Sequence, residues 1–201
     1  MAWTAFGGEV LRIEVSLLEG KGNLTITGQL GEVMRESAQA ALTYARGRAG
    51  ELGLKKGFYE DLDIHLHVPS GAIPKDGPSA GVTICTAVVS ALTTTPVRDD
   101  LAMPGEITLT GKVLPVGGLR EKALAALRAG MKTMLVPDKN KKDISEIPSK
   151  VRRGLQIIPV GHMDEILRIA FTEWPPAKRK KTAPRKKAAP AKATAGAKGK
   201  K

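Results

Sequence analysis

Alternation of apolar and polar residues predicts two half-buried strands in the first third of the chain. In residues 10–18 the odd positions from 11 to 17 are apolar and the even positions from 12 to 16 are polar, and residues 62–68 alternate in the same way. One face of each strand is therefore expected to pack on the core. A turn-forming cluster at 19–23 precedes a short β-prone run at 24–27, which predicts a hairpin between residues 10–18 and 24–27.

Helical periodicity predicts helices at residues 31–51, 80–92, 119–129 and 163–171. The first should turn one side toward the core, formed by Val33, Ser37, Ala40, Ala41, Tyr44 and Ala45. Further strands are predicted within 101–115, at 132–136 and at 155–160, with a polar, helix-prone connection at 138–146. Because helices and strands interleave without a strict βα repeat, the predicted fold class is α+β, a compact domain of mixed sheets with packed helices.

Positive charge is concentrated at the C-terminal end of the chain. Residues 178–201 contain eleven of the 32 Lys and Arg residues and no acidic residue, which leaves 21 basic and 20 acidic residues before them. This Lys-, Ala- and Pro-rich segment has almost no large apolar residue and is expected to be disordered. We therefore predict a folded domain over 1–173 and a disordered basic tail over 174–201.

Composition narrows the class of protein. The single cysteine, Cys85, excludes a disulfide framework within the chain and favours a reducing compartment, for which we expect the cytoplasm. The N-terminus lacks the pattern of a secretory signal, and no apolar run approaches the roughly 20 residues of a membrane span. Aromatic residues make up only 3% of the chain, so the core must be aliphatic.

Residues 74–81 form the candidate site, because Ser79 lies where a strand-like run passes into a helix-like run. Two glycines and two prolines bend the backbone and leave room for a substrate to approach. The first N–H groups of a helix lack intrahelical partners, which suits either a nucleophile beside an oxyanion site or a phosphate-binding loop. The residues alone leave both interpretations open.

A nucleophilic serine needs a base, and the sequence offers histidine or lysine. His65 and His67 share one face of a strand, but neither a carboxylate nor further metal ligands are apparent, so a structural role is favoured and no metal site is predicted. His162 is predicted to lie at the start of the last helix, and Cys85 to lie in the core. Lys122 lies on an apolar helix face, which indicates either a snorkelling side chain or a buried amine with a lowered pKa. The spacing of apolar residues around Lys122 by itself favours the snorkelling side chain.

Several long motifs of the chain resemble those of the A-type Lon protease family, over residues 1 to about 172 in unbroken order. The similar segments are Trp3, residues 30–37, 63–69, 74–81, 104–111 and 114–122. The resemblance implies a proteolytic domain of the ribosomal protein S5 domain 2-like fold that forms a homo-hexamer. It implies a serine endopeptidase acting on unfolded proteins or peptides. Its dyad would be Ser79 as nucleophile and Lys122 as general base, with Asp76, Gly77 and Pro78 supporting the oxyanion loop. Trp3 and Glu14 are candidates for a substrate groove.

Two departures from the family pattern accompany this resemblance. Family members commonly have a threonine at the position of Pro104, and proline offers no hydroxyl with which to orient the lysine. The chain also contains no G-x-x-x-x-G-K-[ST] phosphate loop, so no cofactor is expected here. ATP and Mg²⁺ are implied only for a AAA+ ATPase module acting in cis or in trans.

Three other functions remain open from the sequence. A small-molecule kinase of the GHMP type would use the Ser79 loop for phosphate but would leave Lys122 unexplained. The basic tail could bind nucleic acid or another polyanion without sequence preference, or serve only solubility. Pro104 could mark an inactive copy retained as a ring scaffold.

Overall fold

The computed structural model describes residues 2–4, 7–69 and 74–174, and shows a mixed α+β fold. The strands are β1 (Ala2–Thr4), β2 (Gly7–Glu9), β3 (Glu14–Glu19), β4 (Leu24–Thr27), β5 (Leu62–His67), β6 (Leu101–Ala102), β7 (Glu106–Ile107), β8 (Val113–Leu114), β9 (Thr133–Pro137) and β10 (Gln156–Val160). The helices are α1 (Glu32–Gly47), α2 (Gly81–Thr93), α3 (Leu119–Arg128), α4 (Ser149–Gly154) and α5 (Met163–Ala170). Short 3-10 segments cover Pro78–Ala80 and Asp138–Glu146. The predicted fold class is confirmed.

The first sheet has the order β3-β5-β4, so the predicted hairpin is wrong. β5 lies between the other two strands, antiparallel to β3 and parallel to β4. The Asp63 carboxylate at the start of β5 accepts hydrogen bonds from the N–H groups of Lys21 and Asn23, both at 2.8 Å. These bonds hold the 19–23 turn against β5. The turn therefore carries the chain across β5 instead of folding β4 back onto β3.

The second sheet has the order β10-β9-β6 and is parallel throughout. Met134, Leu135 and Val136 of its central strand are fully buried, as expected for a parallel strand covered on both faces. The strands predicted at 132–136 and 155–160 are confirmed within one residue at each end. α4, which joins the 3-10 segment to β10, was not predicted.

The side chains of the interior form two apolar clusters. One joins the first sheet to α1, α2 and α5, and the other joins the second sheet to α3 and α4. The inward side of α1 follows Met34, Ala38, Ala41 and Ala45. The prediction was wrong at Val33, which is 43% exposed, because the buried stripe begins one residue later. Within the described part of the chain, no helix is long and apolar enough to cross a membrane.

Two end segments pack against this body. β1 and β2 form an antiparallel hairpin, which was not predicted, and β2 lies so close to α3 that a Cβ atom at Gly8 would come within 2.5 Å of the Glu121 carbonyl oxygen. The Arg128 guanidinium also donates to the Gly8 carbonyl oxygen at 2.9 Å. At the other end, the Trp174 ring stacks on Phe171. The predicted basic tail beyond Trp174 lies outside the described residues.

Candidate active site

The Ser79 loop is a tight connection into a helix, as the sequence predicted. Ser79 is half-buried in the middle of the Pro78–Ala80 3-10 turn, and α2 begins directly after it. Gly77 has φ = 118°, a backbone conformation that L side chains rarely adopt. The Ser79 carbonyl oxygen accepts a hydrogen bond from the Gly105 N–H at 2.8 Å. The backbone next to Pro104 therefore restrains the backbone of the serine.

The Asp76 carboxylate fastens this loop to the start of α1. Asp76 Oδ1 accepts the N–H of Gly77 at 2.8 Å and the N–H of Met34 at 2.9 Å. Met34 lies in the first turn of α1, whose N-cap residue is Gly31 and has no side chain to cap the helix. Asp76 therefore supplies the acceptor that a capping side chain would normally provide. A Cβ atom at Gly31 would lie 2.3 Å from Asp76 Cγ, so glycine is required for this approach.

Replacing Asp76 with alanine is expected to lower the free energy of unfolding by about 1 kcal/mol, the usual effect of losing an N-cap acceptor. Denaturant-induced unfolding followed by circular dichroism measures the change. Asp99→Ala is the matched control, because Asp99 is exposed in a turn before β6. Equal stability of the two variants would show that the contact between Asp76 and Met34 contributes nothing.

Some of the N–H groups expected to face a substrate are already engaged by the protein. The Gly77 N–H donates to Asp76, the Gly81 N–H to the Pro78 carbonyl oxygen, and the Val82 N–H to the Gly105 carbonyl oxygen at 3.1 Å. Pro78 has no N–H. The oxyanion support proposed for Asp76, Gly77 and Pro78 stays a prediction. In this structure, the contacts of Asp76, Gly77 and Pro78 shape the loop.

Lys122 is buried, and the snorkelling interpretation is wrong. Its side chain emerges from the first turn of α3, where Lys122 is only 4% exposed. The Nζ atom donates to the Gly117 carbonyl oxygen at 2.5 Å. Burial lowers the pKa of Lys122, and the neighbouring Glu121 carboxylate opposes that shift. The arrangement favours the neutral amine more than an exposed lysine would.

Ser79 and Lys122 line the same cleft, which has a volume of about 410 Å³. The other described residues that line it are Asp76, Pro78, Pro115, Val116, Gly117, Gly118 and Glu121. The serine belongs to the side of the cleft built on the first apolar cluster, and the lysine to the side built on the second. The fold thus brings together a hydroxyl and a buried amine that are far apart in sequence.

One buried residue beside the cleft was missed by the sequence analysis. Asn140 lies in the polar 3-10 segment and is 3% exposed, and its amide side chain bonds both backbone groups of Val116. The sequence signal was weak, because an asparagine among lysines and aspartates reads as an exposed loop residue.

Pro104 is buried, and the hydroxyls of two threonines that follow it in sequence, Thr108 and Thr110, are engaged away from Lys122. The Thr108 and Thr110 hydroxyls bond each other at 3.1 Å in the turn that joins β7 to β8. The Thr108 hydroxyl also accepts the Lys112 N–H at 3.0 Å.

The remaining candidates have structural contacts. His65 Nε2 and His67 Nδ1 both hydrogen-bond the Thr27 hydroxyl, at 2.9 and 2.7 Å, in agreement with the structural role favoured for them. Burial raises the pKa of the Cys85 thiol, which lies in the core as predicted. His162 is the N-cap of α5, where its Nδ1 accepts the Asp164 N–H. Among the described residues, no group of three or more His, Cys, Asp or Glu could hold a metal ion.

The two residues proposed for a substrate groove lie on the first strands. Glu14 is exposed on β3, opposite His67, and is not among the described residues that line the cleft of Ser79. Trp3 pairs with Gly8 between β1 and β2, and its side chain lies outside the described residues. Their role in substrate binding stays a prediction.

Comparisons of the sequence with a family model and with known proteins agree on one protein family. Residues 1–173 match the family model of the Lon protease (S16) C-terminal proteolytic domain. The chain is 61% identical over 170 residues to Lon protease 1 of Myxococcus xanthus, covering 85% of this chain and 21% of that protein. It is 59% identical over 175 residues to the Lon protease of Chloroflexus aggregans, covering 87% of this chain and 21% of that protein. It is 58% identical over 180 residues to the Lon protease of Brevibacillus choshinensis, covering 90% of this chain and 23% of that protein. The chain thus spans about a fifth of the length of these relatives.

Proposed function

Because this chain belongs to the Lon protease family and corresponds to its C-terminal proteolytic domain, we propose that it is a serine endopeptidase with a Ser-Lys dyad. Ser79 is the nucleophile and Lys122 the general base. The observation that carries the proposal is the burial of the Lys122 amine in the cleft that also holds Ser79. A phosphate-binding role for the loop would require the ammonium form of Lys122, which burial disfavours.

The chemistry follows from the protonation state of the amine. A neutral Lys122 amine takes the proton of the Ser79 hydroxyl as its oxygen attacks the carbonyl carbon of a peptide bond. The tetrahedral intermediate collapses to an acyl-enzyme, and Lys122 returns the proton to the amine that leaves. A water molecule then attacks the ester and gives a proton to Lys122, which passes it to the Ser79 oxygen as the ester bond breaks and the acid product departs.

The burial of Lys122 supports this role through its pKa. An ordinary lysine has a pKa of 10.5 and is almost wholly protonated near neutral pH. Burial disfavours the ammonium form and therefore raises the fraction of molecules that hold a competent base. Hydrogen bonding of the amine to the Gly117 carbonyl oxygen restrains it at the cleft wall.

We further propose that the substrates are unfolded polypeptides and that the working assembly is a cytoplasmic homo-hexamer. Folded substrates would be delivered by a AAA+ ATPase module in cis or in trans. By itself, the domain should cleave unfolded protein slowly and without ATP, because unfolding is the step that the ATPase would supply.

A fluorophosphonate probe tests the serine assignment directly. The probe should modify Ser79, located by peptide mass spectrometry, and leave the exposed Ser16 and Ser145 unmodified as internal controls. The labelling rate should rise with pH as Lys122 loses its proton, with a midpoint below 10.5 because burial lowers the pKa of Lys122.

Other outcomes of this labelling would contradict the proposal. A Ser79 that stays unmodified, or that reacts no faster than Ser16 and Ser145, would exclude an activated nucleophile. That result would favour the inactive scaffold. A labelling rate that does not change with pH up to 10.5 would exclude Lys122 as the base.

A further inference from the structure

We propose that Asn140 is a positioning residue, whose side-chain amide fixes the backbone at Val116 and thereby the Gly117 carbonyl oxygen that receives the Lys122 amine. The inference rests on the function proposed above, since it assigns a support for the base of that dyad. Asn140 lies behind the wall of the cleft and does not line the cleft itself.

The Asn140 amide contacts the backbone of Val116 at two points. Its Oδ1 atom accepts the Val116 N–H at 2.9 Å, and its Nδ2 atom donates to the Val116 carbonyl oxygen at 3.0 Å. Nδ2 also donates to Asp143 Oδ2 at 2.6 Å, which fixes the orientation of the amide. Because both polar atoms of the amide are used, only another side-chain amide, that of glutamine, offers the same pair of donor and acceptor.

The segment that Asn140 holds has little else to restrain it. Pro115 and Gly117 are exposed, and a Cβ atom added at Gly117 would meet no other atom within 4 Å. Gly118, the next residue, has φ = 65° and is the N-cap of α3. Two consecutive glycines make this a flexible connection, so the hydrogen bonds from Asn140 replace the packing that ordinary side chains would provide.

The position of this segment acts on the lysine in two ways. It places the Gly117 carbonyl oxygen 2.5 Å from Lys122 Nζ, and it lines the cleft beside the amine. Because burial is the main cause of the lowered pKa of Lys122, a looser wall should let water reach the amine and raise that pKa. The charged groups around it are Asp76 and Glu121 in the cleft, and Arg120, Asp143 and Glu146 in the adjoining pocket.

Asn140→Ala tests the inference against Lys141→Ala as a matched control. Lys141 lies in the same 3-10 segment and pairs with Asp138 on the surface, so its loss perturbs the segment but leaves Val116 untouched. In Asn140→Ala, kcat for casein cleavage should fall about 10- to 100-fold with KM nearly unchanged, since small misplacements of a catalytic group have effects of this size. The pH midpoint of kcat should move upward, and Lys141→Ala should resemble the unmodified chain.

A titration of the Lys122 amine by NMR gives a second readout that does not depend on activity. The midpoint should be higher in Asn140→Ala than in the unmodified chain. Should Asn140→Ala fail to fold, Asn140→Ser keeps a small polar side chain at this position without changing any charge and should shift the midpoint in the same direction. A midpoint equal to that of the unmodified chain overturns the inference, as does a fall in kcat by the same factor at every pH. Retained cleavage in Ser79→Ala would instead overturn the proposed dyad.

Discussion

Replacing Ser79 with alanine should reduce the cleavage of casein at least about 10⁴-fold, since the loss of a nucleophile removes the covalent route altogether. The fold should be retained, because the Ser79 carbonyl oxygen and the Asp76 side chain keep their hydrogen bonds to this turn in the variant. The measurement is the release of labelled peptides from casein without ATP, at equal protein concentrations and with circular dichroism spectra recorded in parallel.

Ser145→Ala is the control for this substitution. Ser145 is exposed, and its hydroxyl bonds only the nearby Lys142 carbonyl oxygen among the contacts described, so the variant should cleave casein at the rate of the unmodified chain. Full activity in Ser79→Ala would exclude the serine endopeptidase. Inactivity of the unmodified chain would instead support the inactive scaffold.

Replacing Lys122 with methionine should reduce casein cleavage about 10²- to 10⁴-fold, the usual contribution of a general base. The free energy of unfolding should not fall, because the variant removes a buried amine and fills the same space with an apolar side chain. Neighbours of Lys122 on α3, Leu119 and Ala126, are themselves buried. Activity and unfolding by denaturant are measured on the same preparation.

This pair of measurements separates a catalytic from a structural lysine. Lys139→Met, at an exposed position, controls for the removal of a charge and should leave both quantities unchanged. Lys122→Arg should also be inactive, since a guanidinium does not lose its proton near neutral pH. Retention of cleavage by Lys122→Met would show that another group deprotonates Ser79, and a large loss of stability would show that the amine is structural.

The local features of the site were predictable from the sequence. Glycine and proline restrict the backbone by themselves, so the turn at Ser79 and its passage into α2 were expected from residues 74–81 alone. The strands at 62–68 and 132–136 also followed from short-range patterns, and the resemblance of these motifs to a protease family pointed to Ser79 and Lys122. That the two residues line one cleft depends on the packing of two apolar clusters, which no local pattern encodes.

Three errors of the sequence analysis have the same physical origin. The hairpin failed because β5, distant in sequence, outcompetes β4 as the neighbour of β3. The inward side of α1 was placed one residue early, at Val33, because its N-terminus is set by the distant Asp76. The burial of Lys122 depends on which segments cover it.

The sequence by itself determined most of the secondary structure, the turn at Ser79 and the family of the protein, because these depend on residues close together in the chain. Only the tertiary structure decided that Lys122 is buried, that its amine meets the Gly117 carbonyl oxygen, and that Asn140 holds the wall of the cleft. The protonation and position of a side chain depend on the solvent and the polar groups around it. Those surroundings come from segments that meet only when the chain folds.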